Sequence, residues 1–225
     1  MKKKSNISDA EKKVSDFYNT VGWEKKSGVT EDAMQWEDMR YCSKEYVSNC
    51  RKRLLKHIPE AGINFLDMAS GPIQYGEYVD YSKGFIKRYC VDLSSKALED
   101  AKSKIGEHGV FLHGSFLKIN LEENFFDCTV SLHTIYHMDK DEQEKAVRKL
   151  LFVTKTGKPV IIVYSNPSNI ISKILSTMRQ FTRREVKADE KKLYFYQHHN
   201  IWWEKFSDVA KVEMLPWRSL SSRVQ

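Results

Sequence analysis

The sequence predicts an α/β protein: a doubly wound, mostly parallel sheet with helices on both faces. Two apolar runs, 62–68 and 85–92, have strand length and run into acids, Asp67 and Asp92. The first spills into a turn of small residues, Ala69-Ser70-Gly71-Pro72. Further apolar runs then alternate with segments of helical spacing, the pattern of a parallel sheet covered on both sides. Right-handed crossovers place the carboxyl ends of such strands on one edge, and ligands bind there.

Residues 8–20 have the spacing of a short amphipathic helix, with Val14, Phe17 and Tyr18 as its apolar positions. A stretch containing Gly22 and Trp23 follows, to residue 35. Residues 43–58 form a helix with Tyr46, Cys50 and Leu54 in one stripe; Pro59 and Gly62 end it. The first core strand is expected at 62–68, then a helix near 74–82. The second strand covers 85–92, and Ser94 or Ser95 caps a helix to about residue 104. The third strand lies at 109–114 and the fourth at 126–132.

The next helix has a start signal: Asp139 as its cap and Glu142, three residues on, reaching back. Ala146, Val147, Leu150 and Leu151 give it a buried face. Gly157 closes it, and a fifth strand covers 159–164. A helix from Pro167-Ser168 turns Ile170, Ile171, Ile174, Leu175 and Met178 inward. Residues 179–192 are a charged excursion, and 194–203 are dense in aromatics and histidine. A sixth strand is expected at 213–220, edge or bulged because of Pro216. No seventh strand follows, so the sheet is expected to end incomplete. The expected division is a helical cap or lid over 1–42 and one sheet domain over 43–225, with an aromatic-rich insertion around 179–207.

At 225 residues the chain can bury a sizeable core. No apolar stretch nears the roughly 20 residues of a membrane span. The basic start, Met1-Lys2-Lys3-Lys4, leads into no apolar signal segment. The four cysteines, Cys42, Cys50, Cys90 and Cys128, form no CxxC pair. A reducing, cytoplasmic setting is expected, with neither disulfides nor a metal cage. The net charge of +7 is spread among interleaved acids and bases, as in 183–192, and reads as a solvated surface.

The small-residue turn and the second acid belong together. The turn lets backbone N–H groups approach a ligand, and Asp92, 21 residues beyond Gly71, can accept from ribose hydroxyls. That pair suits a nucleoside. The full GxGxxG fingerprint of dinucleotide-dependent dehydrogenases is missing, so a pyrophosphate lacks its usual close passage.

Four segments share a wider pattern: Asn64 to Pro72, Val91-Asp92-Leu93-Ser94, Phe126 to His133 and Gly157 to Val163. In this order and spacing, over roughly 40–220, the chain resembles the class I (Rossmann-like) S-adenosylmethionine-dependent methyltransferases. The resemblance implies S-adenosylmethionine as cofactor. It implies that Asp67 and the turn Ala69, Ser70, Gly71 and Pro72 cradle the methionine part. Asp92 would hold the ribose hydroxyls, with Leu93 against the adenine. Leu132 and His133, after the fourth strand, would lie near the sulfonium. The family turn has three glycines at alternate positions; here Ala69 replaces the first and Ile73 the third. Relatives often place an acid near the adenine amine, where this chain has Ser115-Phe116. The serine can still hydrogen-bond and Phe116 can cover the ring.

Methyl transfer from a sulfonium is an in-line displacement that needs alignment and a dry site. A hydroxyl acceptor also needs a base. His133 and His137 flank Thr134-Ile135-Tyr136; His137 is the expected base and Tyr136 the positioning group. The segment 17–23 is a candidate lid, with Tyr18 reaching the cofactor. Arg40 and Tyr41 are candidates for the cofactor carboxylate, and 194–203 for an aromatic acceptor pocket.

The leading expectation is a methyltransferase acting on a small molecule, at a hydroxyl of a sugar or specialised metabolite. RNA or protein methylation is the alternative, although Leu132-His133-Thr134-Ile135 stands where many amino-group-modifying relatives have Asn/Asp-Pro-Pro-aromatic. A nonenzymatic regulatory or scaffold protein that keeps the fold is the third. The expected partner is a small-molecule methyl acceptor, with no clear nucleic-acid site and no membrane span.

Overall fold

The computed structural model describes residues 8–26, 29–36, 41–165 and 193–217. The amino-terminal elements are α1 (Asp9–Phe17), a π-helical turn (Tyr18–Gly22), a two-stranded ribbon of β1 (Lys25–Lys26) and β2 (Val29–Thr30), and α2 (Glu31–Trp36). Ser8 caps α1 in a reciprocal box with Glu11. The helix widens at Tyr18, where the Thr20 hydroxyl donates back to the Asp16 carbonyl at 2.6 Å.

The sheet domain follows as α3 (Lys44–Arg53), β3 (Gly62–Met68), α4 (Gly76–Asp80), β4 (Phe85–Asp92), α5 (Ser95–Ile105), β5 (Gly109–His113), β6 (Cys128–Leu132), α6 (Gln143–Val153) and β7 (Val160–Val163). The five core strands are all parallel, in the order β5-β4-β3-β6-β7. Strand order reverses between β3 and β6, so their carboxyl ends frame the switch-point crevice.

Register divides the strand residues between two faces. Phe65, Cys128 and Val130 share one with Leu54 and Ile58 beyond α3 and with Tyr81 beyond α4. Cys90 packs under Leu98 and Ala101 of α5. Leu66, Met68 and Val91 face the other way, against Ala146, Val147, Leu150 and Val153 of α6 and against Phe206. Helices therefore cover both faces, as expected. Cys50, Cys90 and Cys128 are buried free thiols. Among the described residues no helix is long and apolar enough to cross a membrane.

Several elements differ from expectation. The 43–58 helix stops at Arg53 and tightens into a 3-10 turn, Leu54–His57. Asp139 does not cap α6. Its carboxylate takes the N–H of Asp141 at 3.0 Å, and its carbonyl takes those of Glu142 and Gln143. The helix starts instead at Gln143, whose fully buried amide donates to Met138 O at 3.2 Å and Tyr196 O at 3.0 Å. The expected sixth strand is absent over 213–217: the Arg53 guanidinium takes the carbonyls of Pro216 and Trp217, and Pro216 has no N–H for a ladder. Residues 218–220 of that run, the helix expected after Pro167, the charged 179–192 excursion and Arg40 lie outside the described residues.

Candidate functional site

The turn after β3 keeps the backbone of a glycine-rich loop without its glycines. Ala69, Gly71 and Ile73 have φ values of +57°, +54° and +48°, three left-handed residues at alternate positions. For a non-glycine residue that conformation costs about 1–2 kcal/mol, and a β-branched side chain is an outlier there. Three features hold the turn. Ala69 N and Ser70 N donate to Val91 O at 2.7 and 3.3 Å. Lys104 of α5 gives its ammonium to the carbonyls of Pro72 and Ile73 at 2.6 and 2.8 Å. The Ile73 side chain is 1% exposed, packed on Cys90, Leu98 and Ala101. Burying an isoleucine is worth about 1.5–3 kcal/mol, enough to offset the strain.

Asp92 ends β4 below the rim of the same cleft. One carboxylate oxygen accepts Gly71 N and the other Ser94 N, each at 2.8 Å. Burial raises its pKa to about 6, against these two hydrogen bonds, which lower it. Each oxygen keeps acceptor capacity for a hydroxyl. Asp67 has a different fate. Its carboxylate is buried in an ion pair with Arg88, whose other nitrogen donates to Tyr78 O at 2.5 Å. A buried carboxylate so committed holds the end of β3 to β4.

The amino-terminal elements lie across this edge. Glu11 of α1 accepts the Ser115 hydroxyl in the loop after β5. Ser15 donates to Leu93 O at 3.5 Å beyond β4. Trp23 stacks on Tyr18 at 4.9 Å and lies over Gly71, where an added Cβ would stand 3.0 Å from the indole. Thr30 accepts from the Gln74 amide at 2.6 Å. The loop carrying Ser115 and Phe116 is pinned from below: the Lys149 ammonium donates to Phe116, Leu117 and Ile119 carbonyls at 2.7, 3.2 and 2.5 Å.

Beyond β6 the walls become aromatic. His133 also has a positive φ, +57°, and its ring meets Trp217 edge-on at 5.4 Å. Leu132 packs into the core beside it. Tyr136 is 8% exposed and touches Phe195 and Tyr164 at ring separations of 4.9 and 5.6 Å. His137 gives its Nδ1–H to Tyr194 O at 2.8 Å, since a carbonyl can only accept. Burial lowers its pKa below the ordinary 6.5, so the ring is neutral at pH 7 and Nε2 carries the lone pair. Tyr136, His137, Tyr164, Phe195 and Trp203 line one continuous cleft with Asp92 and the turn. Trp202 and Trp203 also pack on the α6 core, in a 3-10 helix, Asn200–Phe206.

Residues 66–162 match a family model described as a methyltransferase domain. Residues 66–162 thus carry a methyltransferase domain, and the matched domain and the shared fold together support a class I, S-adenosylmethionine-dependent methyltransferase. Solved structures agree in fold. The magnesium protoporphyrin IX methyltransferase from Synechocystis PCC 6803 with bound S-adenosylmethionine superposes with a TM-score of 0.59 at 16% identity, over 90% of this chain and 86% of that one. A Leishmania major S-adenosylmethionine-dependent methyltransferase gives 0.58 at 13% identity, over 89% and 72%. A Haloferax volcanii complex of the Trm112 methyltransferase activator with a methyltransferase gives 0.54 at 16%, over 74% and 69%. No curated protein matches the sequence.

The methyltransferase has a donor set that fits its cofactor. Asp92 offers acceptors suited to ribose hydroxyls. The indole Nε1–H of Trp23 is buried with no hydrogen-bond partner, next to Gly71, and a ligand acceptor would satisfy it. Arg51, buried over the Tyr75 ring at 3.3 Å, brings a cation to the same cleft. Most of the expected site residues come together there. Tyr41 does not: its ring is 89% exposed beside Lys44. Glu11, Trp23, Arg51, Lys104 and Lys149 were not singled out in the sequence. Trp23 sat in the expected lid, but nothing local marks a helix-capping glutamate or a lysine two elements away as part of a site.

Proposed function

We propose that the methyltransferase acts on a small molecule, at a hydroxyl of a sugar or other specialised metabolite, with His137 as general base. One observation carries this reading: a half-buried, neutral imidazole whose tautomer is set by Tyr194 O, among aromatic walls. When bound, the cofactor supplies an electrophilic methyl group on a sulfonium. The chain's task is then alignment and removal of one proton. Tyr136 and Phe195, packed ring against ring, would form one wall for the acceptor, and His137 Nε2 would take its hydroxyl proton. Asp92, Leu93, Ser70, Gly71 and Trp23 would hold the cofactor, and Tyr18 would support Trp23 as part of the cap over 1–42. The positive charge of the sulfonium is lost as the bond forms, so aromatic faces serve better than a close carboxylate. The same reading sets the protein in the cytoplasm, where Cys50, Cys90 and Cys128 remain reduced.

Transfer of labelled methyl into a lysate, separated into small-molecule and polymer fractions, tests the acceptor class. Label in the small-molecule fraction is expected; label in RNA or protein instead would overturn it. His137→Ala should lower turnover about a hundredfold with cofactor affinity little changed. In wild type the acid limb of the rate profile should fall below pH 6.5, the side to which burial shifts this histidine. Near-normal turnover of His137→Ala would remove the base.

A further inference from the structure

We infer that Glu11, carried by the amino-terminal helix, is the acid that reads the adenine amino group of the cofactor. The inference rests on the family assignment above and adds a residue that the fold's sheet domain does not supply. The loop after β5 offers Ser115 and Phe116 where an acceptor for an amine is needed, and neither is an acid. Glu11 fills that space from a different element. It is 5% exposed, and one carboxylate oxygen accepts the Ser115 hydroxyl, 104 residues away in sequence. The other accepts Ser8 N at 3.4 Å as half of the helix cap. Each oxygen has two lone pairs, so the group can accept further. It lines the cleft beside Asp92, Leu93, Gly114 and Phe116.

Capping α1 does not require burial, because a capping glutamate works equally well in water. Burying a carboxylate is costly unless it is well partnered, so its place under α1 calls for a partner beyond Ser8. The direction of α1 gives the same answer. Its contacts step along the carboxyl edge: Glu11 at β5, Ser15 at β4, then the Tyr18–Trp23 stack over Gly71 at β3. Asp92 lies in the middle. A ligand with its ribose on Asp92 and its amino-acid end at Gly71 has its base at Glu11. A carboxylate accepts from the 6-amino group and repels a 6-oxo group, so this contact makes the site selective.

The test is calorimetry with S-adenosylhomocysteine and with S-inosylhomocysteine, which differ only on the base edge that Glu11 would face: 6-amino with a bare N1 against 6-oxo with N1–H. Wild type should prefer the adenosyl form by at least about tenfold. Glu11→Gln can turn its amide to donate to a 6-oxo group, and should bring the two ligands within about twofold. Ser8→Ala breaks the same cap and should lower the melting temperature of α1 contacts while keeping the wild-type ratio. A Glu11→Gln protein with the wild-type ratio would overturn the inference and leave the family assignment standing; so would a wild type that binds both ligands equally. A wild type that binds neither would overturn the cofactor assignment and this inference with it.

Discussion

The two halves of the cleft are built on different principles. The β3-β4-β5 half is compact in sequence and held by charge: the buried Asp67–Arg88 pair, Lys104 on the turn carbonyls, Lys149 on the loop after β5 and Asp92 across Gly71 N and Ser94 N. The β6-β7 half is assembled from distant pieces and held by rings: Tyr136, Tyr164, Phe195 and Trp203, tied by hydrogen bonds from Gln143 and Tyr196. A cofactor of constant shape is served by a polar frame with fixed geometry. An acceptor pocket needs shape and dryness, which aromatic packing provides without committing donors and acceptors.

The largest test of the contrast is Asp92→Ala. It should lower cofactor affinity at least about a hundredfold, because it removes the carboxylate that holds the turn and that we propose holds the ribose. Calorimetry with S-adenosylhomocysteine reads it, and an unaltered affinity would break the polar-frame description. The pH dependence sharpens it. Protonation removes the negative charge and part of the acceptor capacity, so affinity should fall as pH drops through about 6, the value to which burial lifts this group. Stability of the unliganded protein moves the other way. The native state binds the proton more tightly than the unfolded chain, whose value is near 3.8, so the group's destabilising effect above pH 6 is relieved as pH falls toward 4.

The strained turn gives the next effect in size, as a pair. Ile73→Gly relieves about 1–2 kcal/mol of backbone strain but empties a buried site worth about 2–5 kcal/mol, so denaturant melts should show net destabilisation. Ala69→Gly relieves similar strain and loses only a methyl group. Glycine also has more unfolded freedom to lose, so the net gain should be small, under about 1 kcal/mol. A destabilised Ala69→Gly would show that the left-handed turn is not strained. Trp23→Phe is the finest probe. It deletes a buried donor that has no partner, so the free protein should lose little stability while cofactor affinity falls about tenfold. An affinity equal to wild type would make Trp23 a cover only.

Much of the β3-β4-β5 half was legible because its parts are contiguous. Asp92, Gly71 and Ser94 stand within two strand–helix steps, and strand alternation alone brings them to one edge. The glycine pattern was partly misleading: Ala69 and Ile73 spoil it as letters, yet both residues adopt the glycine backbone. Packing of Ile73 and the Lys104 tether stabilise what local propensity opposes. The role of Asp67 was legible as a strand-end acid but not as the partner of Arg88, because a register between neighbouring strands decides who meets whom.

The sequence by itself determined the fold class, the five core strands and the acid that meets the turn, because alternating apolar runs and short crossovers permit few arrangements. Only the tertiary structure decided which groups reach the cleft from afar: Glu11 and Trp23 from the cap, and Phe195 and Trp203 from beyond residue 192. Local periodicity records which face a residue turns inward. It carries no record of which distant segment will lie against that face, since that depends on burial and hydrogen bonds satisfied together across the whole chain.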